Sequence, residues 1–323
     1  MSSSPSLVTE LPAESLQGTA GSGRRSRGRA VTTRGHGLSA GAFLIPNLVL
    51  VVVFLLLPLV WAFWLSMQKI GSLGPSQFLG LNNYVDILHD HVFWESLWNT
   101  GVFTILTVPV GMALGLGMAV LLNGVLPGRK IIRSIIFLPL VISGVSSGLI
   151  GAWMFDQYSG FVNNFLQALG IHGPSWQSNG KWAMLSLVLV TLWIRVGFDM
   201  IIYLAGLQGV DPEYHDAAMV DGASAWQRFR SITVPLLGPS TFFLLIMNLI
   251  YSFQVFDTVF AMTNGGPDYS TTTLVTYAYK VGFDEHGSGE LGYAAAIGVV
   301  IYLITLIITA VNWRLSRNRD LAG

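Results

Sequence analysis

Two opposite charges lie four residues apart in an otherwise apolar run of the sequence, at Arg195 and Asp199. A spacing of four places both side chains on one face of a helix. A charge at the centre of a membrane costs about 2.5–3.5 kcal/mol on insertion scales, and pairing lowers that cost. Two interpretations follow: the pair lines a path for a polar solute, or it is a structural pair that locks this helix in a bundle.

A second group of polar and aromatic side chains follows at helical spacing on a later apolar run. It comprises Asn248, Tyr251, Gln254 and Asp257, bordered by Phe256 and Phe260, with Trp193 on the preceding run. Amides and carboxylates bind sugar hydroxyls, and aromatic rings stack on the apolar faces of sugars, so this stripe suits a sugar site. The alternative is a packed core in which polar side chains bond one helix to another.

Other residue types exclude several kinds of chemistry. The chain has no cysteine, which excludes disulfides, thiolate metal sites and cysteine nucleophiles. His89 and His91 flank Asp90, but no third ligand stands at a useful spacing, so we predict no metal site. No nucleophile–base motif is present, so we predict no catalytic residue and no enzyme activity on this chain.

The elements that must position these side chains are membrane spans. Hydrophobic residues make up 52% of the 323 and charged residues only 11%, against about a quarter in soluble domains. About 20 apolar residues cross a bilayer as a helix. Six runs qualify: roughly 42–67, 100–122, 135–155, 183–207, 241–260 and 291–313. Three glycines in the second run predict close helix packing: Gly111, Gly115 and Gly117. The fold class is therefore all-α and polytopic.

Basic residues predict the orientation of these spans. With six spans, one side of the membrane holds thirteen Lys and Arg residues and the other holds only Lys69, Lys181 and Lys280. The positive side is normally cytoplasmic, so we predict both termini in the cytoplasm. Residues 1–38 are rich in Ser, Gly and Arg and are expected to be a disordered tail. A six-span membrane domain is expected over 39–315, and residues 316–323 as a short cytoplasmic tail.

The segment between the fourth and fifth spans, residues 211–239, is predicted to be a cytoplasmic helix-turn-helix. Asp211 and Pro212 begin a helix that ends near Val220, because Asp caps and Pro fits the first turn. Gly222 permits a turn, and Ser224 with Gln227 forms a capping-box pattern for a second helix. Such a rigid helical knob suits a groove on a soluble partner. The alternative is a solvated connector.

Outside the membrane, residues 160–171 have apolar positions at helical spacing and predict a short amphipathic helix. Residues 263–268 predict a turn from their Gly-Gly-Pro chemistry. The secondary structure of the segment that follows, beginning Ser270, stays open at this point.

The loop resembles the signature loop of ATP-binding-cassette importer permeases, which runs Glu-Ala-Ala, two residues, Asp-Gly-Ala, eight residues, Ile, two residues, Pro. The matching residues here are Asp216, Ala217, Ala218, Asp221, Gly222, Ala223, Ile232 and Pro235. Asp216 stands where the family usually has Glu, so the charge is retained on a shorter side chain. The segments 203–208, 263–267 and 41–46 are similar to the carbohydrate-importer branch, of the maltose-type first permease.

The resemblance implies a mechanism and a set of partners. It implies that the loop docks in a cleft of a cytoplasmic ATPase, whose closure on ATP swings the spans between inward- and outward-facing states. ATP and Mg²⁺ would then belong to the partner, and this chain has no G-x-x-x-x-G-K-[ST] phosphate loop. The implied partners are a second, related permease, two ATPase copies, and an extracellular or lipid-anchored sugar-binding protein. The implied location is the bacterial plasma membrane, with lipid around the spans and no nucleic acid.

Two other functions compete with an ATP-driven sugar importer. An ion-coupled secondary carrier would use Arg195, Asp199 and Asp257 as coupling charges. An inverted repeat between the two halves would favour that carrier, but the two cytoplasmic loops differ in length and content. A membrane-embedded enzyme or scaffold is the third alternative, and no set of catalytic side chains recurs at one membrane face.

Overall fold

The computed structural model describes residues 44–70, 75–124, 126–283 and 289–320. The predicted tail over 1–38 lies outside these residues. The described helices, in chain order, are α1 (Leu44–Leu65), α2 (Asn82–His89), α3 (His91–Asn123), α4 (Arg129–Val141), α5 (Gly144–Met154), α6 (Phe161–Ala168), α7 (Gly180–Gln208), α8 (Pro212–Val220), α9 (Ala225–Leu236), α10 (Gly238–Phe253), α11 (Asp257–Met262), α12 (Leu274–Phe283) and α13 (Leu291–Asp320). One short antiparallel ribbon pairs β1 (Gln68–Lys69) with β2 (Gln77–Phe78). The predicted all-α membrane fold is confirmed.

Four helices are long and apolar enough to cross a membrane unbroken: α1, α3, α7 and α13. They confirm the first, second, fourth and sixth predicted spans. The chain divides after Leu55 into two units, so residues 44–55 of α1 belong to the first unit. The packing described below is that of the second unit, from Leu56 onward.

The third and fifth predicted spans are interrupted, which corrects the expectation of continuous helices over 135–155 and 241–260. The third contains the break between α4 and α5, and the fifth contains the break between α10 and α11. Helices α4 and α5 meet at 101°, and α9 and α10 meet at 64°. Pro139 lies in a tight 3₁₀ turn that ends α4, and the Ser143 hydroxyl restarts the chain by accepting a hydrogen bond from Ser146 N. Gly238 and Pro239 open α10. Proline removes a backbone donor and clashes with the preceding turn, so each pair breaks near its proline.

Helix α7 is the most deeply buried span, with 61% of its apolar window inside the protein. Helix α3 packs along α7, and α10 packs against α3. Helix α13 packs against α12 and α10. At one end of the bundle, Leu122 of α3 meets Leu204 and Leu207 of α7 and Leu237 of the following loop. This end carries α8 and α9, the two helices of the predicted helix-turn-helix.

The opposite end of the bundle carries α6 and the turn that precedes α12. Helix α6 confirms the predicted short helix within 160–171. Gly266 N donates to the carbonyl of Thr263 (2.9 Å), which confirms the predicted turn, and the Gly266–Pro267 bond is cis. The Thr271 and Thr272 hydroxyls donate back to carbonyls of this turn, at 2.7 and 2.8 Å. The segment that the sequence left open forms α12.

Candidate functional site

The loop between α7 and α10 has the caps that the sequence predicts. The Asp211 carboxylate accepts from Glu213 N (3.0 Å) and begins α8. Gly222 lies just past the end of α8 with φ of +78°, a left-handed conformation that glycine adopts without strain. Ala223 N donates to Ala218 O (2.9 Å), and Gly222 N donates to Met219 O (3.1 Å). This pair of bonds is a Schellman motif, which closes the helix end.

The second helix of the loop begins with a confirmed capping box. The Ser224 hydroxyl accepts from Gln227 N (3.4 Å), while the Gln227 side chain accepts from Ser224 N (2.7 Å). The rings of Trp226 and Phe229 stack at 5.5 Å. Hydrogen bonds between residues close together in the sequence therefore fix the ends of both loop helices.

The outer surface of this loop presents apolar and acidic groups to solvent. Val220 is 89% exposed, Met219 51% and Trp226 66%. In the described part of the chain, the carboxylates of Asp216 and Asp221 make no hydrogen bond or ion pair. A rigid loop that exposes large apolar side chains beside unpaired charges has the character of a contact surface.

The membrane-embedded polar residues are positioned where α3 crosses α7. A Cβ at Gly115 would lie 2.5 Å from Asp199 Cβ, and one at Gly111 would lie 3.2 Å from Asp199 Oδ2. Both glycines therefore confirm the predicted close packing: an added Cβ at Gly115 forces the helices to shift, and one at Gly111 makes a tight contact. A Cβ at Gly117 would have nothing within 4 Å, so for this glycine the prediction is wrong: it points away from the crossing.

Arg195 and Asp199 are joined through a third residue. The Arg195 guanidinium donates to Asn248 Oδ1 (3.0 Å), and Asn248 Nδ2 donates to Asp199 Oδ1 (2.8 Å). The described residues contain no direct ion pair between the two charges, so the expected pair is replaced by a bridge between α7 and α10. The guanidinium also lies over the rings of Tyr251 (4.2 Å) and Phe198 (5.0 Å), which adds cation–π attraction.

Several polar atoms of this cluster have no hydrogen-bond partner within the described residues. They are Asp199 Oδ2, Arg195 Nε and Thr191 Oγ1. They border a cavity of about 10 Å³, which is close to the volume that one water molecule needs. Asp199 itself is fully buried. The cluster thus joins α7 to α10 through hydrogen bonds, and its cavity is too small for a solute the size of a sugar.

The predicted stripe along the fifth span is divided by the end of α10 at Phe253. Asn248 and Tyr251 face the Arg195 cluster, whereas Gln254 lies beyond the helix and borders a groove of about 600 Å³ beside α13. Asp257 begins α11 and lies against Gly144, where a Cβ would come within 2.9 Å of Asp257 Oδ2. The expectation of one continuous face is therefore wrong for Gln254 and Asp257.

The aromatic members of the stripe form a separate strip. Phe256 and Phe260 stack at 5.3 Å, and both contact Tyr279 of α12, at 4.9 and 5.3 Å. Sequence reasoning missed Tyr279, which lies beyond the turn. Trp193 is 43% exposed and takes no part in the Arg195 cluster.

The histidines beside Asp90 have ordinary structural surroundings. His89 Nδ1 lies 2.9 Å from Val85 O, and His91 Nδ1 lies 3.9 Å from Glu95 Oε2. Asp90 instead caps α3, and it accepts hydrogen bonds from the hydroxyls of Tyr277 and Tyr293. Burial acts to raise the pKa of Asp90, but these hydroxyl and backbone donors outweigh it and hold the pKa below its ordinary value. No local sequence pattern predicts this link, because Tyr277 and Tyr293 lie far from Asp90 along the chain.

The fold of the described chain, with four unbroken apolar helices and two bent helix pairs that could span a bilayer, is that of a polytopic membrane protein. Residues 111–319 match the model of the family described as binding-protein-dependent transport system inner membrane component. The chain belongs to this family.

Two relatives illustrate the similarity. The sulfoquinovosyl glycerol transport system permease protein SmoG of Agrobacterium fabrum is 36% identical over 271 residues, covering 84% of this chain and 87% of the relative. The trehalose/maltose transport system permease protein MalF of Thermococcus litoralis is 32% identical over 277 residues, covering 85% and 92%.

A solved structure has the same fold. It is a bacterial ABC transporter involved in the import of the acidic polysaccharide alginate, with a TM-score of 0.76 and 24% identity, covering 88% of this chain and 96% of the other. Family membership makes this chain the multi-pass permease component of an ABC importer, with ATP hydrolysis on a separate chain. It does not favour the ion-coupled carrier or the membrane enzyme.

Proposed function

We propose that this chain is one of two related permeases of an ATP-driven importer in the bacterial inner membrane, carrying a sugar, with a di- or oligosaccharide as the first candidate. Both termini and the 211–239 loop face the cytoplasm. Two ATPase subunits dock on the permease pair, and the segment 216–235 of this chain is the contact with one of them. A sugar-binding protein delivers the solute from outside.

The exposed, self-capped loop is the observation that carries this proposal. Asp221 and Gly222 lie at its apex, next to Val220, and the apolar and acidic groups there lack internal partners. The Schellman motif and the capping box stiffen the two helices of the loop. A displacement of the loop by the ATPase therefore moves α10 instead of deforming the loop. That is the mechanical property that coupling to an ATPase requires.

Two lines of support favour a sugar as the solute. Relatives are named for sulfoquinovosyl glycerol and for trehalose or maltose, both rich in hydroxyl groups. In this chain, Gln254, Asp257 and the Phe256–Phe260 stack lie at the break between α10 and α11, and Gln254 and Asp257 are exposed. Transporter sites commonly form at such breaks. We assign these residues to the solute path and the Arg195–Asn248–Asp199 bridge to holding the helices.

Transport in reconstituted vesicles tests the coupling role. The complete complex carrying Asp221→Lys is expected to assemble but to lose ATP-driven sugar uptake, because the reversed charge faces the ATPase. Asp86→Lys, an exposed acid at the opposite end of the bundle, is the matched control and should transport normally. Normal uptake by Asp221→Lys would argue against the loop as the ATPase contact.

Transport kinetics test the solute path separately. Gln254→Ala combined with Phe256→Ala should raise the sugar concentration for half-maximal uptake, while ATPase docking is retained. A loss of one hydrogen bond and one stacking contact corresponds to roughly a 10-fold change, at about 1.4 kcal/mol per factor of ten. Unchanged affinity and rate would remove these two residues from the path.

A further inference from the structure

A cluster of basic side chains lies at the corner between α3 and α4. It consists of Arg129, Lys130 and Arg133, and these are the only charged residues between 96 and 155. In the described chain, none of the three has an acidic partner within ion-pair distance. The corner therefore has a positive charge that the protein does not neutralise.

Backbone carbonyls fix this cluster in place. Arg133 Nη2 donates to Leu122 O (2.6 Å), and Arg129 Nη1 donates to Gly124 O (3.1 Å), both at the end of α3. Helix α4 also begins at Arg129 with no side-chain cap and no acid in its first turn. The N-terminus of a helix carries a partial positive charge, so basic side chains beside it are unfavourable. An anion from outside the protein would neutralise both the basic side chains and the helix N-terminus.

The position of α4 places the cluster at the membrane surface. Leu122, which accepts from Arg133, packs with Leu207 near the end of α7. At the other end of α4, the backbone of Ile136 and Phe137 lies against Gly197, well inside α7. Helix α4 thus runs from the end of the bundle into its apolar zone.

An apolar face continues directly from the basic corner. Ile131, Ile135 and Leu138 lie three and four residues apart, which places them on one side of α4. They are 67%, 63% and 62% exposed. A basic corner at the surface with an apolar face below it matches the two halves of a phospholipid.

We propose that the α3–α4 corner binds an anionic phospholipid, with its phosphate at Arg129, Lys130 and Arg133 and its acyl chain along the apolar face of α4. A soluble phosphate or an acidic protein would use only the basic half of this surface, whereas a phospholipid contacts both halves. The inference goes beyond the proposed function and does not depend on which solute is carried.

Native mass spectrometry of the purified complete transporter, titrated with phosphatidylglycerol, tests the proposal. Each basic residue near a membrane surface contributes about a 5-fold gain in affinity for anionic lipid. The double variant Arg129→Gln, Lys130→Gln should therefore weaken the tightest phosphatidylglycerol site roughly 30-fold. The charge-conserving variant Arg129→Lys, Lys130→Arg should restore it, which separates charge from folding.

Two exposed lysines at the opposite end of the bundle supply the matched control. Lys69→Gln with Lys181→Gln removes the same charge and should leave the tightest site unchanged. Equal loss in both double variants would overturn the proposal, and so would equally tight binding of zwitterionic phosphatidylcholine. Displacement of the lipid by millimolar inorganic phosphate would also overturn it, because the site would then recognise a free anion.

Discussion

Gly115 is a position where a single added methyl group should destabilise the helix bundle. Its Cβ would lie 2.5 Å from Asp199 Cβ and 3.0 Å from the backbone at Asp199 and Met200, whereas ordinary contacts are 3.4–4 Å. Helices α3 and α7 would have to separate by an amount on the order of 1 Å, at a typical overpacking cost of about 1–3 kcal/mol. At about 2–4 °C per kcal/mol, Gly115→Ala should lower the thermal midpoint by roughly 2–12 °C.

The control for this variant lies two residues away. A Cβ at Gly117 meets nothing within 4 Å, and alanine is a better helix former than glycine by about 1 kcal/mol. Gly117→Ala should therefore leave the midpoint unchanged or raise it. Thermal unfolding of both variants in the same detergent compares them directly. Equal midpoints, or a lower one for Gly117→Ala, would refute the close approach of α3 to α7.

Three further variants probe the loop, the buried bridge and the outer link. Gly222→Val should lower ATP-driven uptake strongly, while Gly222→Asn, which tolerates φ of +78°, should retain most of it in the same vesicle assay. Asn248→Leu leaves Arg195 and Asp199 without their shared partner and should lower the free energy of unfolding by about 1–3 kcal/mol in denaturant titrations; an unchanged value would contradict the bridge. Because the folded pKa of Asp90 is depressed, its stabilisation is complete above the unfolded value near 3.8 and is lost as pH falls through the folded value. Asp90→Asn should therefore be less stable at neutral pH and lose less stability on acidification; parallel pH profiles would contradict this.

The features that the sequence predicted are those encoded over short distances. The α8 and α9 caps depend on residues two to five apart, from Asp211 to Gln227, and were recognisable as local patterns. The unbroken spans follow from apolar runs of sufficient length. The split of the polar stripe was not recognisable, because the segment Gln254–Phe256 ends α10 without a glycine or proline.

The Arg195–Asn248–Asp199 bridge could be predicted only in part. The spacing of Arg195 and Asp199 showed that both charges share a face, and the stripe marked Asn248 as polar. The hydrogen bonds between them depend on how α7 and α10 are aligned, 49 and 53 residues apart along the chain. That alignment is set by tertiary packing, for which a single sequence has no local pattern.

The most direct measurement is crosslinking from the loop apex of this naturally cysteine-free chain. Val220→Cys, at a side chain that is 89% exposed, should crosslink to the ATPase subunit in the assembled transporter and react with thiol reagents only from the cytoplasmic side. Tyr158→Cys, at an 85% exposed position near the other end of the bundle, should not crosslink to the ATPase and should not react with thiol reagents from the cytoplasmic side. If Val220→Cys never reaches the ATPase, or reacts from outside the cell, the loop is not the coupling surface.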